Sequence, residues 1–198
     1  LTLLVFIPAY SGVPYEPRNA TLVIASVLAH PMIVSVPWLL PLSKLLLLFV
    51  VIAPFALEEK SGRIVVGYYA FVLVVVGIFQ NIAHTETYGF VWLLGNTLLE
   101  FVVLGFCIYD FAKGKTKIQR RDFNRGRSWI IPLMLLAYLM PYAVSDTGAV
   151  IPGFFPTVFH NKAGVTYCMI TPVILGVMLL FSKGVHKPTL SIVAFLAY

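Results

Sequence analysis

An indole, an amide and a carboxyl recur at helical spacing within one apolar run: Trp92, Asn96 and Glu100. Residues four apart share a helix face, so a helix through this run carries one polar stripe, with Thr97 beside it. An ionisable group in a membrane-length apolar segment is costly to bury and marks either an ion, proton or substrate path or an interhelical bond. Glu100 is the first such group. His30 is the second, and each lies about ten residues into its own apolar run. At about 1.5 Å per residue, both would reach about 15 Å, the middle of a ~30 Å hydrocarbon core. A His30–Glu100 pair, or one ligand shared between them, is the expectation, because either alone would be expensive to bury. Tyr138 falls at similar depth on a further run. The candidate substrate- or ion-binding set is therefore Glu100, Asn96, His30, Trp92 and Tyr138.

Other chemistry is thinner. His84-x-Glu86 and the distant His160 are metal-ligand types on one side of the chain's topology, and they are weak metal candidates because the two histidines are far apart. No two histidines sit at matched mid-membrane depth for a haem, and no cofactor can be named. Cys107 and Cys168 lie in apolar runs without a CxxC spacing, which fits buried thiols better than a disulfide or metal framework. Phosphate-loop, dinucleotide, zinc-protease and serine-hydrolase motifs are absent. No catalytic residue is assigned, and the balance leans away from an enzyme.

The elements that must position these residues are set by composition. Of 198 residues, 60% are apolar and 11% charged. Soluble domains run at about 45–50% and 25%. Mean hydropathy is +0.92. A chain with so little charge cannot clothe a water-facing surface, which excludes soluble enzymes, disordered tails and nucleic-acid readers. Spans are expected at 20–36, 41–57, 64–83, 89–110, 128–145 and 165–182, with a seventh opening near Leu190. The stretch 20–57 is too long for one helix, and Pro37-Trp38-Leu39-Leu40-Pro41 at its middle predicts a tight turn. Leu1–Ala9 reads as the end of a helix whose start is not in the sequence.

The expected fold is thus all-α: a polytopic integral membrane bundle of about six or seven transmembrane helices, truncated at one or both ends, forming one transmembrane domain over 1–198. Alternating sides places Arg18, Lys60, Arg63, Lys183, Lys187 and every cation of the loop 111–127 together, against Lys44 and Lys162 opposite. By the positive-inside rule that first side is cytoplasmic. The basic loop 111–127 carries Lys113, Lys115, Lys117, Arg120, Arg121, Arg125 and Arg127. Such a segment suits anionic lipid head groups, or docking of an acidic cytoplasmic partner such as a soluble subunit; other membrane subunits are the further partners expected. The opposite loop, 146–164, is long and apolar and is expected to lie in the interface or to roof a cavity.

Two functions from different classes follow. The first is a small transporter or membrane substrate-binding subunit with its site near mid-bilayer. The alternative is a non-catalytic subunit or assembly partner of a larger membrane complex, and a lipid-modifying or redox enzyme stands third.

Overall fold

The computed structural model describes residues 2–145, 149–152 and 160–197. It is mostly helical. Among the described residues there are seven α-helices: α1 (Ala20–Ala29), α2 (Leu39–Ala56), α3 (Ser61–Phe79), α4 (Leu94–Lys113), α5 (Ile130–Leu139), α6 (Tyr167–Leu180) and α7 (Lys187–Ala197). Three segments among the described residues are long and apolar enough to cross a membrane: Leu39–Ala56, Glu58–Phe79 and Leu94–Lys113, with mean hydropathies of 2.3, 2.1 and 1.4.

The chain also forms strands, which the all-α expectation did not include. A three-stranded antiparallel sheet joins β1 (Tyr10–Ser11), β2 (Ile82–Thr85) and β3 (Gly89–Trp92) in the order β1-β3-β2. The β2–β3 hairpin turns at Gly89, whose φ of +65° suits glycine, and the Thr85 hydroxyl accepts the Tyr88 amide. A second pair, β4 (Tyr142–Val144) with β5 (Val150–Pro152), follows α5. The outer strand residues Ile82, Ala83, Phe90, Val91 and Trp92 are apolar and mostly β-formers, so hydropathy assigned them to the flanking runs 64–83 and 89–110 although their backbone pairs as strands.

Helix ends shift accordingly. The run 20–36 is helical only to Ala29. Pro31 cannot continue the α1 hydrogen bonds, and a short 3-10 turn, Met32–Ser35, follows. At ten residues α1 is about 15 Å long, half a hydrocarbon core. It packs on the hairpin through Val23 and Val27, against Ala83, Val91 and Leu93. The predicted turn at 37–41 is present, but α2 begins within it at Leu39, which leaves Pro41 in the first turn, where a missing N–H does no harm. The run 128–145 is helical only over α5; Met140 adopts φ +44° and Pro141 follows.

Two regions tie the helices together, the β2–β3 hairpin and the loop after α4. At the hairpin end α3 hands over to β2, and β3 to α4. At the basic end the loop after α4 is pinned. Ser61 Oγ donates to the Ile118 carbonyl at 3.1 Å. The Lys117 amide donates to Gly184 O at 2.7 Å, and the Asn124 amide to Leu180 O at 2.8 Å. Arg127 Nη1 donates to Leu179 O at 3.0 Å and to Ser182 Oγ at 2.9 Å. The main core lies between α2, α3, α4, α6 and α7 and includes Leu47, Val65, Tyr69, Leu73, Val103, Ile174 and Val193.

The polarity of the surface is inverted relative to a water-soluble bundle. On α2, Lys44 is fully buried while Leu45 is 54% and Phe49 50% exposed. Exposed leucines and phenylalanines outside with a cation inside suit a lipid solvent, not water.

Candidate functional site

The site starts from the end of α3. The last four carbonyls of a helix lack intrahelical partners, and α3 stops at Phe79, so Gly77 O must be satisfied from outside. Two side chains do this. Asn81 Nδ2 donates to it at 3.0 Å, and Thr97 Oγ1, from the first turn of α4, donates at 2.9 Å. Thr97 Oγ1 in turn accepts Trp92 Nε1 at 3.0 Å, and Asn81 Nδ2 also reaches Glu100 Oε1 at 3.3 Å. Trp92, Thr97, Gly77, Asn81 and Glu100 thus form one hydrogen-bonded seam between β3, α3 and α4. Gly77 is required by contact: a Cβ there would stand 2.9 Å from Glu100 Oε2.

Next to Asn81, Gln80 is turned toward α6. Its Oε1 accepts the Tyr167 amide at 2.7 Å, satisfying one of the orphan donors at the start of α6. Gln80 also lines a cavity of about 330 Å³ together with Tyr142, His160, Asn161, Lys162, Thr166 and Cys168, among others. The walls of this cavity are tied down. Asn161 Nδ2 donates to Leu139 O at 2.6 Å, Lys162 Nζ donates to the Ala29 carbonyl, and Thr166 Oγ1 donates to Lys162 O at 2.8 Å.

Three buried polar atoms along this seam have no hydrogen-bond partner: Gln80 Nε2, Asn81 Oδ1 and Glu100 Oε2. Gln80 and Glu100 are each 1% exposed, and Asn81 is fully buried. An unpartnered buried polar atom costs about 1–3 kcal/mol, so most buried groups find partners. One donor, on Gln80, and two acceptors, on Asn81 and Glu100, are thus left open, and of the three residues Gln80 lines the cavity.

The sequence candidates are distributed as follows. Trp92 and Glu100 belong to the seam, joined through Thr97 and Asn81. Trp92 sits on β3, not on the helix. Asn96 is half-buried one turn before Glu100, and its side chain makes no hydrogen bond among the described residues. Because α4 starts at Leu94, Glu100 lies only six residues in, about 9 Å from the helix start. His30 caps the exposed end of α1 beside the hairpin; the bond to Glu100 comes from Asn81, not from His30. Tyr138, on α5, is half-buried, and its ring lies 4.9 Å from Lys44 Nζ. His84 and Glu86 are exposed on β2 and its turn, and His160 is exposed at the cavity rim. Among the described residues no group of three His, Cys, Asp or Glu could hold a metal. Of the basic loop, Lys113, Lys115, Lys117, Arg120, Arg121 and Arg125 are exposed, and Arg127 is partly buried. The loop 146–164 falls partly outside the described residues, at 146–148 and 153–159.

Sequence reasoning passed over Lys44 and Asp110, both buried. Asp110 Oδ1 accepts the Thr116 amide at 2.8 Å, and Oδ2 accepts Thr116 Oγ1 at 2.6 Å. His186 Nδ1 lies 3.9 Å from Oδ2. A cation six positions into α2 and an acid inside the last turns of α4 were the available signals.

No known protein family matches this chain, and no characterised protein or solved structure resembles it. The fold therefore defines only a class: a mostly helical chain with three helices suited to crossing a membrane. Function has to be argued from the seam and the cavity.

Proposed function

We propose that this protein is a small multi-pass membrane protein that binds a small polar solute between its helices, as a transporter or as the substrate-binding subunit of one. The observation that carries the reading is the set of open polar atoms at Gln80, Asn81 and Glu100, next to a 330 Å³ cavity that Gln80 lines. A bundle held together by polar bonds alone would be expected to close them. The solute that fits offers donors to Glu100 Oε2 and Asn81 Oδ1 and an acceptor to Gln80 Nε2, as amino, amide and hydroxyl compounds do.

In the proposed topology α2, α3 and α4 cross the bilayer, while α5, α6 and α7, of 10, 14 and 11 residues, are shorter than its core and pack against them, as α1 packs against the hairpin. The loop 111–127 is cytoplasmic, since Lys60, Arg63, Lys183 and Lys187 gather at the same end. The hairpin and cavity then face the opposite side.

Purified protein in detergent, heated in the presence of a panel of amines, amides, polyols and amino acids, tests the binding reading. A solute that raises the wild-type melting temperature should bind at least about tenfold more weakly to Gln80→Leu and to Glu100→Gln, the loss of about 1.4 kcal/mol expected for one buried hydrogen bond. If every solute that binds the wild type binds both variants equally well, the seam is not the site. A panel without any binder, from a chain that purifies within a larger assembly, would favour the assembly-partner reading.

A further inference from the structure

A larger cavity than the one at Gln80 lies near the basic loop. It measures about 940 Å³ and is rimmed by Lys60 and Arg63, at the start of α3, and by Lys117 from the basic loop. All three cations are exposed, and none forms an ion pair among the described residues. Glu59 shares the rim, so the balance there is two positive charges. The close approach is built in. Gly114 ends α4 at φ +57°, and the Arg63 guanidinium lies over it, 3.0 Å from where a Cβ would stand.

Below the rim the cavity is apolar, lined by Ile64, Gly67, Tyr68 and Phe111. Phe111 packs onto Gly67, whose Cβ would stand 2.8 Å from its ring. Tyr68 also lines a narrow apolar cleft between α2 and α3, with Phe71 and Val75 further along α3. The two cavities share Tyr68, and the α3 residues that line them, from Ile64 to Val75, mark a furrow that rises about 16 Å at 1.5 Å per residue. That is the depth of one leaflet of a ~30 Å hydrocarbon core. The Tyr68 hydroxyl, shielded from solvent within this furrow, has no partner.

We infer that this cavity is a binding site for one anionic phospholipid, with its phosphate among Lys60, Arg63 and Lys117 and an acyl chain along Tyr68, Phe71 and Val75. Unpaired cations call for an anion. An apolar furrow one leaflet long calls for a hydrocarbon chain attached to it, which free phosphate lacks. The Tyr68 hydroxyl can donate to an ester carbonyl just below the phosphate, and Glu59 can accept from a headgroup hydroxyl. The site shares no residue with the seam at Glu100, so it stands or falls independently of the proposed solute binding.

The test uses the full chain in detergent micelles and titrates phosphatidylglycerol, phosphatidylcholine and inorganic phosphate, with bound lipid counted by native mass spectrometry. Wild type should retain one phosphatidylglycerol per chain, should prefer it over phosphatidylcholine, and should not release it to millimolar phosphate. Arg63→Gln with Lys117→Gln should weaken it about 30-fold, from the usual contribution of two cations near an anionic surface. Lys113→Gln with Arg125→Gln removes the same charge from the same end but outside the cavity, and should leave binding within about twofold. Lys60→Gln, an exposed single change that leaves the fold intact, should weaken binding about fivefold on the same basis. Equal weakening by the two double variants would reduce the effect to diffuse surface charge. Equal binding of phosphatidylcholine, or displacement by phosphate, would equally overturn the inference, as would unchanged binding by Lys60→Gln and the Arg63/Lys117 pair.

Discussion

Replacing Glu100 by methionine should make the protein more stable. Methionine has the same unbranched reach as glutamate and no polar oxygen. In the folded chain Glu100 accepts one long bond, 3.3 Å from Asn81, and its second oxygen has none. Interhelical bonds of this kind are worth about 0.6 kcal/mol in membrane bundles. Losing the bond also leaves one Asn81 N–H open, at a cost of about 1 kcal/mol. Against this, removing a buried carboxyl with an open oxygen recovers about 1–3 kcal/mol, and more for any fraction that is charged. The balance is centred on a gain of about 0.4 kcal/mol and reaches about 1.4 kcal/mol, or about 1–4 °C in melting temperature for a domain of this size. Changing both partners should do better, because Gly77 O keeps its bond from Thr97 when Asn81 is replaced. Glu100→Met with Asn81→Leu should therefore gain about 2 kcal/mol, since removing both members of a polar pair leaves no orphan. The assay is thermal unfolding in one detergent, followed by Trp fluorescence, with solute binding measured in parallel. Stability rising while binding is lost is the pattern of a site kept polar for function. A fall of 3 °C or more in either variant would refute the reasoning and make Glu100 a structural clamp.

Three further outcomes are expected. In intact cells an impermeant thiol reagent should label Thr87→Cys, at the tip of the hairpin, and should not label Arg121→Cys; the reverse pattern would invert the proposed topology. Arg127→Ala removes two charge-assisted bonds to the end of α6, so it should cost about 2 kcal/mol, whereas Arg121→Ala should stay within about 0.5 kcal/mol; similar melting temperatures for the two would mean that the loop is not pinned there. Gly77→Ala should destabilise by about 1–3 kcal/mol by pressing a methyl group on Glu100, and Glu100→Ala in the same chain should recover part of the loss; additive effects would show that the two residues do not touch.

The sequence made the long apolar helices legible and their termini less so. α2, α3 and α4 announce themselves because each combines membrane length with high hydropathy. The polar break at 84–88 separated α3 from α4, but the strand residues on either side of it, Ile82 and Ala83 before and Gly89–Trp92 after, were read as helix, because hydropathy is blind to whether an apolar stretch pairs as strands or coils as a helix. That ambiguity moved the expected start of the fourth run back to residue 89 and put Glu100 at mid-depth. Likewise His30 was placed by counting into a run that Pro31 cuts short. Glu100 itself was legible from its type alone, and Trp92 from its spacing, although the link between them passes through Thr97 rather than Asn96. Gln80 and Asn81 show as polar residues at the end of a run, but what makes them a site is an α6 amide 87 residues away and a carboxyl on α4. Contacts between helices carry no period in the chain, so nothing in the spacing could reveal them. Lys44 sat three residues beyond a proline-flanked turn and read as a helix start; α2 begins earlier, which draws it inside.

The cage around Asp110 has a consequence for how the chain is made. Asp110 is buried, and one of the groups near it, His186, belongs to the last turn of chain before α7. Thr116 and His186 are 70 residues apart, bonded through the His186 amide. At about 5–20 residues per second, a ribosome needs roughly 4–14 s to supply the second after the first. A carboxylate left waiting that long in a forming helix end would be a standing invitation to misfold. Thr116 removes the problem, because it arrives six residues after Asp110 and offers both an amide and a hydroxyl. The aspartate is thus chaperoned by its own downstream neighbour, and α7, when it emerges, docks onto a threonine already held in place.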